Sequence, residues 1–244
     1  MSLIRIKSFH PLTEFSPSWN IPIWLTQWSE PEKVDTVRKT LEDDEENILK
    51  EFDYANSGGT GLGPDDVTTR FGKYNVFTRY KDVPEVNGLL KFLQYSYLQY
   101  VTTQQVELKE LKIVCWANVM KQGQKMESHA HGSQPDSYLS GNMHLDDYQS
   151  KTTYHSPYDV LSKIALPNQK GGNTLFPSYC PHFTDEHDEA KKRVSIAYDL
   201  RLKGTFNEDE FKCVDFMNQS ILDEVNKKRA EELAKQKKEV DTNK

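Results

Sequence analysis

Between Glu127 and Gly141 the chain reads ESHAHGSQPDSYLSG, which places His129 and His131 two residues apart in a strand-like stretch. Alternate residues of an extended chain point to one face, with Cβ atoms roughly 7 Å apart. Both imidazoles can then reach a single ion about 2.1 Å from each nitrogen. The pair alone is also compatible with two polar residues on the rim of a sheet. A third ligand must come from elsewhere, and His182 follows a proline-bounded turn in LFPSYCPHF, where a sandwich would bring a distant strand back beside the first. Further on, RVSIAYDL places Arg193, Ser195, Ala197 and Asp199 on one face and Val194, Ile196, Tyr198 and Leu200 on the other. An inward arginine is costly without an anion. A guanidinium with a hydroxyl two residues on makes a fork and a donor for a carboxylate, so the segment suits a dicarboxylic acid held beside the metal.

These residues need a scaffold that holds distant strands together. From Glu107 to Leu202 the chain consists of short apolar runs separated by turns, the pattern of an antiparallel sandwich or barrel. LKIVCWANVMK, YLSGNMHLDD, SKIALP, NTLFPS and RVSIAYDLRL are the expected strands. Upstream, FSPSWNIPIWLTQWSE clusters Trp19, Trp24 and Trp28 and suits a short strand or extended arm laid on the core. PEKVDTVRKTLEDDEENILKEF is expected to form one or two solvated helices, and VPEVNGLLKFLQYSYLQYV an amphipathic helix against a sheet. Near the C-terminus, Phe216, Ile221, Leu222 and Val225 predict one docking helix, and the charged stretch beyond Asn226 a frayed or disordered end. The expected organisation is an N-terminal arm with helices over 1–106, a core over 107–204, and a C-terminal helix with tail over 205–244.

Other polar residues carry weaker signals. His144 lies on the GNMHLDD strand, where lining a pocket and facing solvent are both open, and His187 sits in an acidic run expected at the surface. His10 and His155 have no supporting neighbours. Tyr138, Tyr154 and Tyr158 are expected in loops near the mouth. The glycines of YANSGGTGLGPDD suggest a phosphate loop, but no GKS or GKT follows them and no apolar strand precedes them.

Taken together, the W-x-N-x(4)-G run from Trp116, the H-x-H, the LSG, the LFPS, the downstream histidine and R-x-S-I-A-Y resemble the 2-oxoglutarate and iron(II)-dependent oxygenases. Within them, the match is to a prolyl-4-hydroxylase-like group of bacteria and their viruses, and it covers Ile113 to Leu202. The resemblance implies a mainly β protein with flanking helices whose core is a double-stranded β-helix, or jelly roll. It implies iron(II) held by His129, His131 and His182, with Asp136 as the alternative to His131. Arg193 and Ser195 would grip the distal carboxylate of 2-oxoglutarate, and Asn118 would contact the same co-substrate. With dioxygen, 2-oxoglutarate would yield succinate and carbon dioxide while a C–H bond of a small-molecule or peptide substrate is oxidised.

Composition narrows the setting. Among 244 residues the formal net charge is −6, so no global positive field draws the chain to nucleic acid or anionic lipid. The three cysteines, Cys115, Cys180 and Cys213, are far apart and form no CxxC pair, which argues against a disulfide framework or thiolate zinc site. They read as small core residues, with a redox role for Cys180 as the alternative. No segment resembles a signal peptide or membrane span, so the expectation is a soluble cytoplasmic protein, in a host cytoplasm if the chain is viral. A homodimer through the tryptophan-rich arm or the C-terminal helix is open. Two other function classes share the architecture: a cupin-like metal protein, which gives Arg193 and Ser195 no task, and a metal-free structural or interaction jelly roll.

Overall fold

The structure is a computed structural model that describes residues 1–132, 137–206, 211–227 and 231. Asp136 and nearly all of the charged tail lie outside the described residues. Strands form where alternating side chains give two faces with different partners. On β9 (Arg193–Leu202) Val194, Ile196, Tyr198 and Leu200 join the main apolar core, while Arg193, Ser195, Ala197 and Asp199 line a cavity. β3 (Leu111–Met120) pairs antiparallel with β9 and divides the same way, with Val114, Trp116 and Asn118 on the cavity side.

The remaining strands are β1 (Ser2–Lys7), β2 (Asn20–Gln27), β4 (Leu139–His144), β5 (Tyr148–His155), β6 (Lys163–Asn168), β7 (Gly172–Pro177), β8 (His182–Thr184) and β10 (Val214–Met217). A seven-stranded sheet runs in the order β1-β2-β7-β4-β9-β3-β10, and a three-stranded sheet in the order β6-β5-β8. Between β4 and β9 the chain passes back and forth, from β4 in the large sheet to β5 and β6 in the small one, then to β7 in the large, β8 in the small and β9 in the large. This is the double-stranded β-helix. The seven-stranded sheet also takes strands from both chain ends, β1 and β2 at one edge and β10 at the other.

Two long helices cover the outer face of the large sheet. α1 (Pro31–Glu51) and α3 (Pro84–Gln104) each begin with proline, whose fixed φ and missing N–H suit a first turn. Their apolar stripes, Val34, Val37, Leu41 and Ile48 on α1 and Val86, Leu89, Leu93 and Tyr97 on α3, are fully buried in the core shared with β3 and β9. The short α2 (Val76–Arg79) and a 3-10 turn at Val67–Arg70 connect them. No helix among the described residues is long and apolar enough to cross a membrane.

Several elements differ from expectation, among them the three-residue β8, which no expected strand covers. Tyr154 is not in a loop: it is fully buried in β5, at the centre of the small sheet. The run YQSKTTYH has no apolar stretch to mark a strand, because most of the side chains it buries are polar: Thr152 lines the cavity, while Tyr154 packs in the small apolar cluster. β1 is a further unexpected strand, short and at a sheet edge, with Ile6 tucked into a small apolar cluster with Ile21 and Ile23. Phe216 lies in β10, not in a helix, and the helical turns begin at 219.

Candidate metal centre

The three histidines expected to act together are brought together. A ring nitrogen of each of His129, His131 and His182 lies within 4.8 Å of the others, close enough for one ion. The backbone makes this arrangement: His129 and His182 exchange both N–H···O=C bonds, at 3.1 and 2.9 Å, as an isolated antiparallel pair beside β8. His131 is placed by its own N–H, which donates to the Ser178 carbonyl at 3.0 Å. His129 and His131 therefore do not share one regular strand. Only a single bridge is formed at His129, and the chain turns away after it.

Each ring is also held from behind. His129 Nδ1–H donates to the Glu127 carbonyl at 2.8 Å, His182 Nδ1–H to the Cys180 carbonyl at 3.3 Å, and His131 Nδ1–H to Asp199 Oδ1 at 2.6 Å. A carbonyl can only accept, so in His129 and His182 Nδ1 carries the hydrogen and Nε2 is the ring nitrogen left for an ion, while His131 Nδ1 is taken up by the Asp199 carboxylate. Burial, together with the neighbouring His131, pushes His129 down to about 4, and burial with the other two rings pushes His182 well below its usual range. Neutral imidazoles are the form a metal needs. At Asp199 burial alone would raise the carboxyl, but the His131 ring and the bonds from His131 and Ser140 outweigh it and hold it below the usual carboxylate range.

The cluster opens into a cavity of about 260 Å³ between the sheets. Strand register sets its floor as cross-strand rows. His144 and Asn118 flank Ser195, Asn142 and Trp116 flank Ala197, and Ser140 and Val114 flank Asp199. Arg193 closes the far end, 2% exposed, with Nη2 donating to Thr152 Oγ1 at 3.1 Å and Nη1 3.5 Å from Met120 Sδ. Among the described residues no carboxylate pairs with it. Burial lowers it to about 10, so it is charged at neutral pH. Arg193 Nε, Asn118 Oδ1, Asn142 Oδ1 and His144 Nδ1, all on cavity-lining residues, have no protein partner. Buried polar atoms without protein partners around one cavity leave both acceptors, the two asparagine oxygens, and a cationic donor, the Arg193 guanidinium, for a polar ligand.

The other polar residues sort differently. His144 is buried on the cavity wall beside Ser195. His187 is fully buried, not at the surface: its ring donates to the Lys191 carbonyl at 2.6 Å and fixes a turn. His155 does have neighbours: Ser128 at 2.8 Å from Nε2 and the Ser156 carbonyl at 2.9 Å from Nδ1, which steadies the residue preceding His129. Cys180 is a buried free thiol pushed up to about 12 by burial, so it is no ready thiolate. Thr152 and Asp199 acquire roles that no motif advertised. Asp199 shares its face with Arg193 by simple alternation, and that was its only signal.

The glycine-rich loop is a roof over this centre, not a phosphate cradle. Thr60 accepts from the Glu127 N–H at 2.8 Å, and Ser57, Gly58 and Thr60 line the cavity. A Cβ on Gly59 would sit 3.2 Å from that of His129, and one on Gly61 3.0 Å from Glu127 Cγ. Both glycines have positive φ, +81° and +78°, so the loop approaches the ligand segment as only glycine allows.

No protein-family model matches the chain, and no curated protein does. Among solved structures, a prolyl-4-hydroxylase from Pseudomonas putida superposes with a TM-score of 0.51 at 12% identity, over 74% of this chain and 88% of that one. HygX from Streptomyces hygroscopicus, solved with nickel and 2-oxoglutarate bound, superposes with a TM-score of 0.50 at 10% identity, over 75% and 82% of the two chains. At these identities the likeness is one of fold.

Proposed function

We propose that the chain is an iron(II)- and 2-oxoglutarate-dependent oxygenase that oxidises a C–H bond of a small-molecule or peptide substrate, with succinate and carbon dioxide as co-products. The observation that carries this reading is a buried, charged and carboxylate-free arginine in the same cavity as three convergent imidazoles. A cupin-like metal protein would use the histidines but leave Arg193 without a partner. A metal-free jelly roll would use neither.

The donor set fits the ion: imidazoles suit iron(II) among other divalent metals. His129, His131 and His182 would hold it through Nε2, and their Nδ1 acceptors stop the rings from rotating. Bound there, iron supplies the chelation of a 2-oxo acid and the activation of dioxygen that couples its decarboxylation to C–H oxidation. Arg193 would take the distal carboxylate as a charge-assisted fork, with the Ser195 hydroxyl beside it and Thr152 fixing the guanidinium. Asn118 and His144, which flank Ser195 on the neighbouring strands, offer further polar contacts to the acid. Trp116 and Phe176 pack against the His131 ring, at 5.6 and 6.2 Å between centroids, and exclude water from its flanks.

The test is an anaerobic titration of apo-protein with iron(II) and then 2-oxoglutarate. A weak visible charge-transfer band of a chelated keto acid, lost in His129→Ala, is expected. Absence of the band with no iron bound would refute the oxygenase reading.

A further inference from the structure

We propose that Asp199 is a positioning residue that supplies the negative charge of the metal centre from one bond behind it, through His131. The inference rests on the metal reading above and concerns how three neutral ligands hold a divalent ion next to a buried arginine. The three rings are not held alike: His129 and His182 donate to backbone carbonyls, whereas His131 donates to a carboxylate at 2.6 Å. That carboxylate is itself fixed. The Ser140 hydroxyl lies 2.7 Å from the same Oδ1, and Ser178 lies 2.9 Å from Ser140. Asp199 is 8% exposed, and its other charged neighbour, Arg201, stands 3.7 Å from Oδ2 at the cavity rim.

The electrostatics explain why one acceptor should be charged. An ion with three imidazoles keeps its full double charge, and Arg193 adds a third positive charge to the same enclosed cavity. A bound dicarboxylate brings two negative charges, and Asp199 brings the third. Placed behind His131, the carboxylate also polarises the Nδ1–H bond and makes Nε2 a stronger donor to the metal, while occupying no coordination position. Three protein ligands then leave the remaining positions free for a chelating acid and dioxygen.

Asp199→Asn isolates the charge, because the amide oxygen can still accept from His131 and Ser140 and makes the third ring like the other two. Apo wild type and variant are compared by thermal melting and titrated anaerobically with cobalt(II), whose visible bands report ligand strength. The expected result is an unchanged apo melt, 10–100-fold weaker cobalt binding and shifted bands. Equal affinity and an unchanged spectrum would overturn the proposal while leaving the metal centre standing. Wild type that binds no cobalt would overturn the centre and the proposal together. If Asp199→Asn does not fold, Ser140→Ala frees the carboxylate from its second bond; severalfold weaker cobalt binding is expected, and wild-type affinity there would likewise overturn the assignment.

Discussion

Arg193 shows what a single residue can disclose. Burying a guanidinium with no carboxylate beside it is unfavourable by several kcal/mol unless an anion arrives, so its place at the end of the cavity points to its partner. Arg193→Ala should weaken 2-oxoglutarate binding roughly thirty-fold or more, the equivalent of about 2 kcal/mol. Iron affinity should stay within a fewfold of wild type; titrations in which both fall equally would refute the split. The histidines give a pH prediction. His129 and His182 are depressed in the folded state, so below about pH 6.5 the unfolded chain binds protons that the folded chain refuses. Apo stability should therefore fall as pH drops from about 6.5 toward 4, by on the order of 1–3 kcal/mol for the partly exposed His129 alone. Urea midpoints flat across that range would contradict it, and His129→Gln should lessen the slope.

At the scale of elements, two glycines show where backbone approach matters. Gly141 lies inside β4, where a Cβ would come within 2.3 Å of the Tyr198 ring and 2.8 Å of the Thr174 carbonyl. Tyr198 cannot move aside, since it is fully buried and its hydroxyl donates to Asn173 at 2.8 Å. Gly141→Ala should cost about 1–3 kcal/mol, read as a lowered urea midpoint. In the roof loop, Gly59→Ala should weaken metal binding severalfold by pushing on His129. Gly123→Ala is the matched control: its φ is +82° but nothing lies within 4 Å of the new Cβ, so it carries backbone strain without contact to a ligand. Equal metal affinities in the two variants would show that the roof does not position His129. The elements were unevenly legible beforehand. β3, β4, β6, β7 and β9 contain apolar residues in strand-like runs and stand out, whereas β5 buries mostly polar side chains, with Thr152 at the cavity, and its strand character follows from its neighbours.

For the whole molecule, an ion that ties His129 to β8 reinforces a short junction that the backbone makes through the His129–His182 pair and the Thr184 N–H to the Met126 carbonyl. Metal at a hundred times its dissociation constant should add about 2.7 kcal/mol, or about 5–10 °C in melting temperature for a chain of this size. Differential scanning calorimetry with cobalt(II) should show the shift in wild type, and His182→Ala should abolish it; a full shift in the variant would mean that another residue is the third ligand.

What the sequence by itself determined is local. The two-residue period of a strand dictates that Arg193, Ser195 and Asp199 share a face, and the HxH spacing and the helical stripes of α1 and α3 are equally readable, because each depends on neighbours along the chain. The tertiary structure decided which distant residues meet: the backbone pair of His129 with His182, the rows that set His144 and Asn118 beside Ser195, Asp199 behind His131, and the glycine loop over the ligand segment. These follow from strand register and sheet order. A one-residue slip in register would turn every cavity side chain into the core, yet no stretch of the chain read alone carries the register that prevents it.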